Sequence, residues 1–232
     1  KVIAINQRPL WQEKPTSDSN WTQLSNDLIQ FLDSHNLKNV IGAGHSMGAV
    51  ATMLASAKRP DLFSHIILID PVFILPKYQF SFSLMPKFMK KNVPMIKGAL
   101  NRTSQWENKQ AVFDSWRRKK VFSKISDEGL WDYINAGVQS NGNGQVSLVY
   151  SGEWEANYYG RIPWVWSALK KVQVPTLGIR GMKSNTLIPK AWGKWKGIQK
   201  DGTFVEVEGS GHLVSMEKPT EVAKRVLDRI FL

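Results

Sequence analysis

The chain of 232 residues contains no cysteine. That excludes disulfide bonds and every metal site built on thiolate ligands, and it accords with a cytoplasmic protein. Long apolar runs are missing too. No window approaches the roughly 20 apolar residues a bilayer span requires, so no membrane-spanning helix is expected. No charged-then-apolar leader is visible, and the chain opens directly on the strand-like "KVIAIN". Acidic residues are scarce, 19 against 31 Lys and Arg, for a formal net charge of +12. Such an excess suits nucleic acid, an anionic surface or an acidic substrate. The basic residues fall in short clusters, "KFMKK" at 87–91 and "RRKK" at 117–120, with no zinc-finger or RNA-recognition signature, which argues against a nucleic-acid partner. Neither metal-ligand spacing nor the glycine fingerprint of a dinucleotide site occurs, so no cofactor is inferred.

Apolar residues make up 42% of the chain, enough for a sizeable core. Val2-Ile3-Ala4-Ile5 reads as a short buried strand. Asn20 with Gln23 resembles a capping box, and Trp21, Leu24, Leu28, Phe31 and Leu32 recur at helical spacing, which predicts a helix over 20–35. "NVIGAG" reads as a strand, 47–58 as a helix of small residues, and "HIILID" as a buried strand closed by Asp70-Pro71. Alternation resumes with "TLGIRG" (176–181), "TFVEVEG" (203–209) and a tail helix carrying Val222, Val226, Leu227, Ile230 and Phe231. Strands alternating with helices predict a mostly parallel sheet flanked by helices, an α/β fold. Residues 72–171 break the pattern and read as an inserted, mainly helical cap on a core of 1–71 and 172–232. No internal repeat is present.

Residues 44–48 read "GHSMG". A serine between two glycines, between a strand and a helix, is the pattern of a nucleophile elbow. Small flanking residues let strand and helix approach closely, and the hydroxyl emerges at a helix N-terminus, where backbone N–H groups favour developing negative charge. Serine at its free pKa is a poor nucleophile and needs a base. Among four histidines, His35 ends a helix, His65 starts a strand and His45 adjoins the serine. His212, in "GSGH" after a strand, is at the end of the sheet where open α/β folds collect functional groups.

"GHSMGA", "LIDPV", "PTLGIRG" and "GSGHLVSMEKP" together resemble the serine-hydrolase branch of the α/β-hydrolase superfamily. The order, serine first and histidine near the C-terminus, is that family's order. The resemblance covers 1–75 and 172–232 and implies Ser46 as nucleophile, His212 as base and the Met47 N–H as one oxyanion donor. The acid departs from the family pattern. Members commonly place it a few residues after the strand that here reads "LGIRG", where this sequence has Asn185 and no Asp or Glu over 181–200. Some members place it one strand earlier, which points to Asp70; a turn cap before Pro71 is the competing role for that residue. The first strand, Val2–Ile5, corresponds to the family's fourth, so the resemblance also implies an additional N-terminal segment. That segment, within the same chain or separate, would supply a strand beside Val40–Ala43 and the second oxyanion donor.

The expected function is hydrolysis of an ester or other activated acyl bond in a small-molecule substrate, through an acyl-enzyme. Two alternatives stay open. One is a ligand-binding or scaffold protein whose triad has decayed, suggested by Asn185. The other is a carbon–carbon bond hydrolase or acyltransferase using the same serine. Epoxide hydrolases and dehalogenases carry aspartate at the elbow, so Ser46 argues against them. In the cap, Trp106, Trp116, Trp131, Trp154, Trp164 and Trp166, with Phe80, Phe82, Met85 and Phe88, either line an acyl pocket or form the cap's own core.

Overall fold

The computed structural model of the protein describes residues 1–230. Phe231, assigned to the tail helix from sequence, lies outside them. In chain order the first elements are α1 (Trp21–Ser34), β1 (Val40–His45), α2 (Met47–Lys58) and β2 (Phe63–Ile69). A mainly helical stretch follows: α3 (Pro76–Leu84), α4 (Lys87–Lys90), α5 (Pro94–Leu100), β3 (Gln105–Trp106), α6 (Lys109–Arg117), α7 (Asp127–Gly137), β4 (Val138–Ser140), β5 (Val146–Leu148), α8 (Gly152–Tyr159) and α9 (Val165–Leu169). Alternation returns with β6 (Thr176–Gly181), α10 (Pro189–Ile198), β7 (Thr203–Val207), α11 (Val214–Glu217) and α12 (Pro219–Ile230). The chain divides into two compact units: 20–84 with 162–232, and 1–19 with 85–161. None of the described helices is long and apolar enough to cross a membrane.

The first unit is built on a parallel sheet in the order β1-β2-β6-β7. Its strands end in register: His45 lies opposite Ile69, Ile69 opposite Ile179, and Gly181 opposite Val207. Whatever follows each strand therefore emerges along one edge. β2 carries the apolar run Ile66–Ile69, and β6 is buried along its whole length, Arg180 included, as in strands covered on both faces. Ile67, Leu177, Ile179, Val207, Val214 and Val222 make one buried cluster. On α12, Val222 is buried and Val226 packs against that cluster, whereas Leu227 and Ile230 are exposed.

α1 begins where the sequence predicts, with the Asn20 side chain accepting the Gln23 N–H at 3.1 Å. The Gln23 side-chain amide also donates to Asp27, one turn on. α2 is buried continuously from Ala49 to Ser56 and packs on β1, β2, α1 and α9. Small side chains make that possible. A Cβ on Gly44 would lie 2.4 Å from the Gly48 backbone, closer than atoms tolerate. Gly44→Ala is therefore expected to push strand and helix apart and destabilise the fold by about 1–3 kcal/mol, the usual range for overpacking. At about 2–4 °C per kcal/mol for a chain of this size, the loss is readable in a thermal melt.

Residues 1–7 differ from the sequence reading. Val2–Ile5 forms no strand, and Val2 is 96% exposed. These residues cluster with 85–161 rather than with the sheet. An apolar tetrapeptide satisfies its backbone as a strand only when a ladder partner is beside it, and none of the described strands pairs with it. β1 is consequently an edge strand among the described residues.

In the second unit, β3, β5 and β4 form a small antiparallel sheet, α5 packs on α8, and α6 on α7. Several of its aromatics pack together: Trp106 meets Trp116 edge-on, Phe113 stacks on Trp131, and Trp116 stacks on Phe122. Trp154 is fully buried and donates Nε1–H to the Gln12 carbonyl. Glu155, beside it, pairs with Arg102 and accepts from the Tyr159 hydroxyl. Of the "RRKK" cluster, Arg117 has a structural task, bonding the Phe122 and Ile125 carbonyls and Asp127. Trp166, in the first unit, donates to the Ile74 carbonyl. Trp164, Phe80 and Phe88 are exposed.

Candidate active site

Ser46 stands between the end of β1 and the start of α2, with φ at 54° and ψ at −115°. A non-glycine residue in that region carries about 1–3 kcal/mol of backbone strain. It is held there by its own N–H, which donates to the Ile69 carbonyl at 2.9 Å, and by α2, whose Val50 N–H reaches the Ser46 carbonyl. Among the described residues the Ser46 hydroxyl caps no N–H of α2. It reaches instead to His212, 166 positions away: Ser46 Oγ lies 2.9 Å from His212 Nε2. Met47 is the first residue of α2, where helix geometry leaves N–H groups without intrahelical partners.

The other ring nitrogen of His212, Nδ1, lies 2.9 Å from Asp70 Oδ1. Asp70 follows β2 directly and is fully buried. Its φ of 41°, immediately before Pro71, is a second strained backbone at this edge of the sheet. Among the described residues the side chain caps no turn at Pro71. Its Oδ2 accepts the Gly181 N–H at 2.9 Å, and its Oδ1 accepts the Ser184 hydroxyl at 2.6 Å as well as the His212 Nδ1–H. Three donors converge on this one buried carboxylate. With Nδ1 donating to Asp70, Nε2 is the accepting nitrogen and faces the serine hydroxyl.

Asn185 is exposed, in the turn after β6. The residue before it, Ser184, is buried and makes the contact to Asp70. Sequence reasoning passed over Ser184. The only local signal is that its hydroxyl accepts the Thr186 and Leu187 N–H groups, a hydroxyl-capped turn of the kind serine favours. The turn is tied down from below by Arg180, which is buried, pairs with Glu206, and donates to the Leu187 carbonyl at 2.6 Å.

The base loop approaches β6 so closely that a Cβ on Gly181 would lie 2.0 Å from the Gly211 carbonyl oxygen. Lys183 N–H donates to the Ser210 carbonyl at 2.8 Å. Of the other histidines, His35 bonds the Phe31 carbonyl at the end of α1, and His65 lies within β2. His45 turns toward the base: its Nε2 is 2.7 Å from the His212 carbonyl oxygen.

Burial is the main cause that holds the His45 pKa below its ordinary 6.5, followed by the neighbouring His212. The His212 carbonyl and Asp70 pull the other way. The unfolded chain therefore takes up a proton at His45 near pH 6.5 while the folded chain resists it. Unfolded protein binds more protons in that window, so this contribution to stability is lost as pH falls below about 6.5. Urea unfolding of wild type and His45→Gln at about pH 7.5 and 5.5 is expected to show a smaller acid loss in the variant.

A sequence profile described as the Alpha/beta hydrolase family matches residues 8–225. Ethanol acetyltransferase 1 of Cyberlindnera fabianii is 25% identical over 221 residues, which are 90% of this chain and 64% of that protein. The chain thus spans less than two thirds of that relative's length. The 2-(acetamidomethylene)succinate hydrolase of Mesorhizobium japonicum is 23% identical over 231 residues, 99% of this chain and 78% of that one. The crystal structure of E-2-(acetamidomethylene)succinate hydrolase superposes with a TM-score of 0.78 at 21% identity, covering 95% of this chain and 77% of that one, and shares the fold. With the profile spanning all but a few residues at either end, and a parallel sheet whose strands end at a strained strand–serine–helix turn, the chain belongs to the alpha/beta hydrolase family.

Proposed function

We propose that the protein is a serine acyl hydrolase that works through an acyl-enzyme. Ser46 Oγ attacks the substrate carbonyl while His212 Nε2 takes its proton. Asp70 stabilises the imidazolium, and the Met47 N–H holds the oxyanion. His212 then returns the proton to the leaving group, and the same base activates water to release the acid. The observation that carries this reading is the unbroken relay from Ser46 Oγ through His212 to Asp70, with both contacts at 2.9 Å. Residues 72–171 are read as the cap.

Transfer of the acyl group to an alcohol instead of water is the second reading, favoured by the similarity to an ethanol acetyltransferase. It uses the same acyl-enzyme and differs only in which hydroxyl attacks it. Purified protein given p-nitrophenyl acetate, with and without ethanol, separates the two. Hydrolysis gives acetate and p-nitrophenol in equal amounts whatever the ethanol concentration; transfer diverts acetate into ethyl acetate. Absence of both products, with no labelling of Ser46 by a fluorophosphonate, would overturn the reading and favour a binding or scaffold protein.

A further inference from the structure

His45 ends β1, one residue before the elbow serine, yet its ring reaches a residue 167 positions away. A carbonyl oxygen only accepts, so the 2.7 Å contact fixes a proton on His45 Nε2 and makes it the donor to His212 O. The two imidazoles lie 4.9 Å apart between centroids, tilted by 37°. The loop that carries His212 has no regular structure over 208–211 and turns through Gly209 at a φ of 72°. Main-chain bonding holds the loop at Ser210, whose carbonyl accepts the Lys183 N–H. Side chains hold it nearer the base: Glu217 Oε2 accepts the Gly211 N–H at 2.8 Å, and His45 takes the His212 carbonyl.

We propose that His45 is a positioning residue, clamping the backbone of His212 so that Nε2 stays on the Ser46 hydroxyl. The proposal rests on the reading of Ser46 and His212 as nucleophile and base. Asp70 and the Ser46 hydroxyl hold the two ring nitrogens, which leaves the main chain that carries the ring to be fixed separately. The His45 bond supplies that point, on the main chain. β1 delivers nucleophile and clamp together: Ser46 presents the hydroxyl and His45 sets the distance to the base. Low basicity suits the task, because a neutral His45 puts no second positive charge beside the His212 imidazolium.

The test compares wild type, His45→Ala, His45→Phe and His45→Gln. It reads kcat and KM for p-nitrophenyl acetate and the second-order rate of fluorophosphonate labelling at Ser46. Loss of the clamp is expected to lower both kcat and the labelling rate about 10–100-fold, the scale of an approximately 1 Å misplacement, with KM changed less than about twofold. His45→Phe fills the volume without a donor and should stay low. His45→Gln restores an N–H donor and should recover to within about fivefold of wild type. Full activity in His45→Phe, or a change confined to KM, would show that the ring merely fills space and overturns the proposal. His45→Gln that folds normally by circular dichroism but is no better than His45→Phe overturns it as well. An inert, unlabelled wild type would instead overturn the hydrolase reading, and the positioning role would fall with it.

Discussion

Ser46→Ala is expected to lower turnover by a factor on the order of 10⁴–10⁶ and to abolish fluorophosphonate labelling, with the thermal midpoint nearly unchanged. The first half follows from the chemistry: without Oγ no acyl-enzyme forms, and members of such a relay act as a unit. The second half follows from the fold. Among the described residues the hydroxyl caps no N–H of α2, so its loss leaves the helix terminus as it was. The strain at φ 54° is common to serine and alanine. Glycine at this position relieves that strain, so Ser46→Gly should be equally inactive yet at least as stable as Ser46→Ala, the strain released being about 1–3 kcal/mol before the added freedom of the unfolded chain is subtracted. An order of stability Ala above Gly would show that the turn is not strained. Retained turnover in either variant would remove Ser46 from the mechanism.

The parts of this molecule that were legible in sequence are those set by near neighbours. The elbow needs a strand, a small-residue turn and a helix within 20 residues, and "NVIGAGHSMGAVATMLASA" spells out all three, including the glycine whose Cβ would strike the facing helix. α1 announced itself through Asn20 and its apolar spacing. Where the partner is remote, the sequence is silent. Asp70 reads as a partner for His212, but a turn cap competes with that role in sequence, because the atom that decides lies 142 residues away. Ser184 and Glu217 hold the acid and the base loop, but each looks like an ordinary turn or helix residue. Val2–Ile5 failed for the opposite reason. Its pattern is locally good for a strand, but a strand exists only in a ladder, and the described residues give it none.

Asp70→Asn is expected to lower kcat by a factor on the order of 10³–10⁴, while Asn185→Asp in the wild-type background leaves it within about threefold. The asymmetry is geometric. Asp70 accepts three donors, the Gly181 N–H, the Ser184 hydroxyl and the His212 Nδ1–H. Asparagine offers one oxygen and an NH₂ group, so at least one donor must face another donor in a fully buried site. An unmet buried group costs about 1–3 kcal/mol, and the substitution should therefore lower stability as well as activity. If the imidazole shifts tautomer so that Nδ1 accepts from the amide NH₂, Nε2 becomes the protonated nitrogen and no longer accepts from Ser46. If it keeps its tautomer, the amide leaves the imidazolium without a counter-charge. Asn185 is exposed while its neighbour Ser184 occupies the inward position, so a carboxylate introduced at 185 starts on the solvent side of the turn. The decisive protein is the double variant Asp70→Asn/Asn185→Asp. With the acid moved across the turn, kcat should stay as low as in Asp70→Asn, because the buried donors still converge on position 70. Recovery to near wild-type turnover would mean that the loop swings freely enough for either position to reach His212, and that the three bonds at Asp70 do not fix the base.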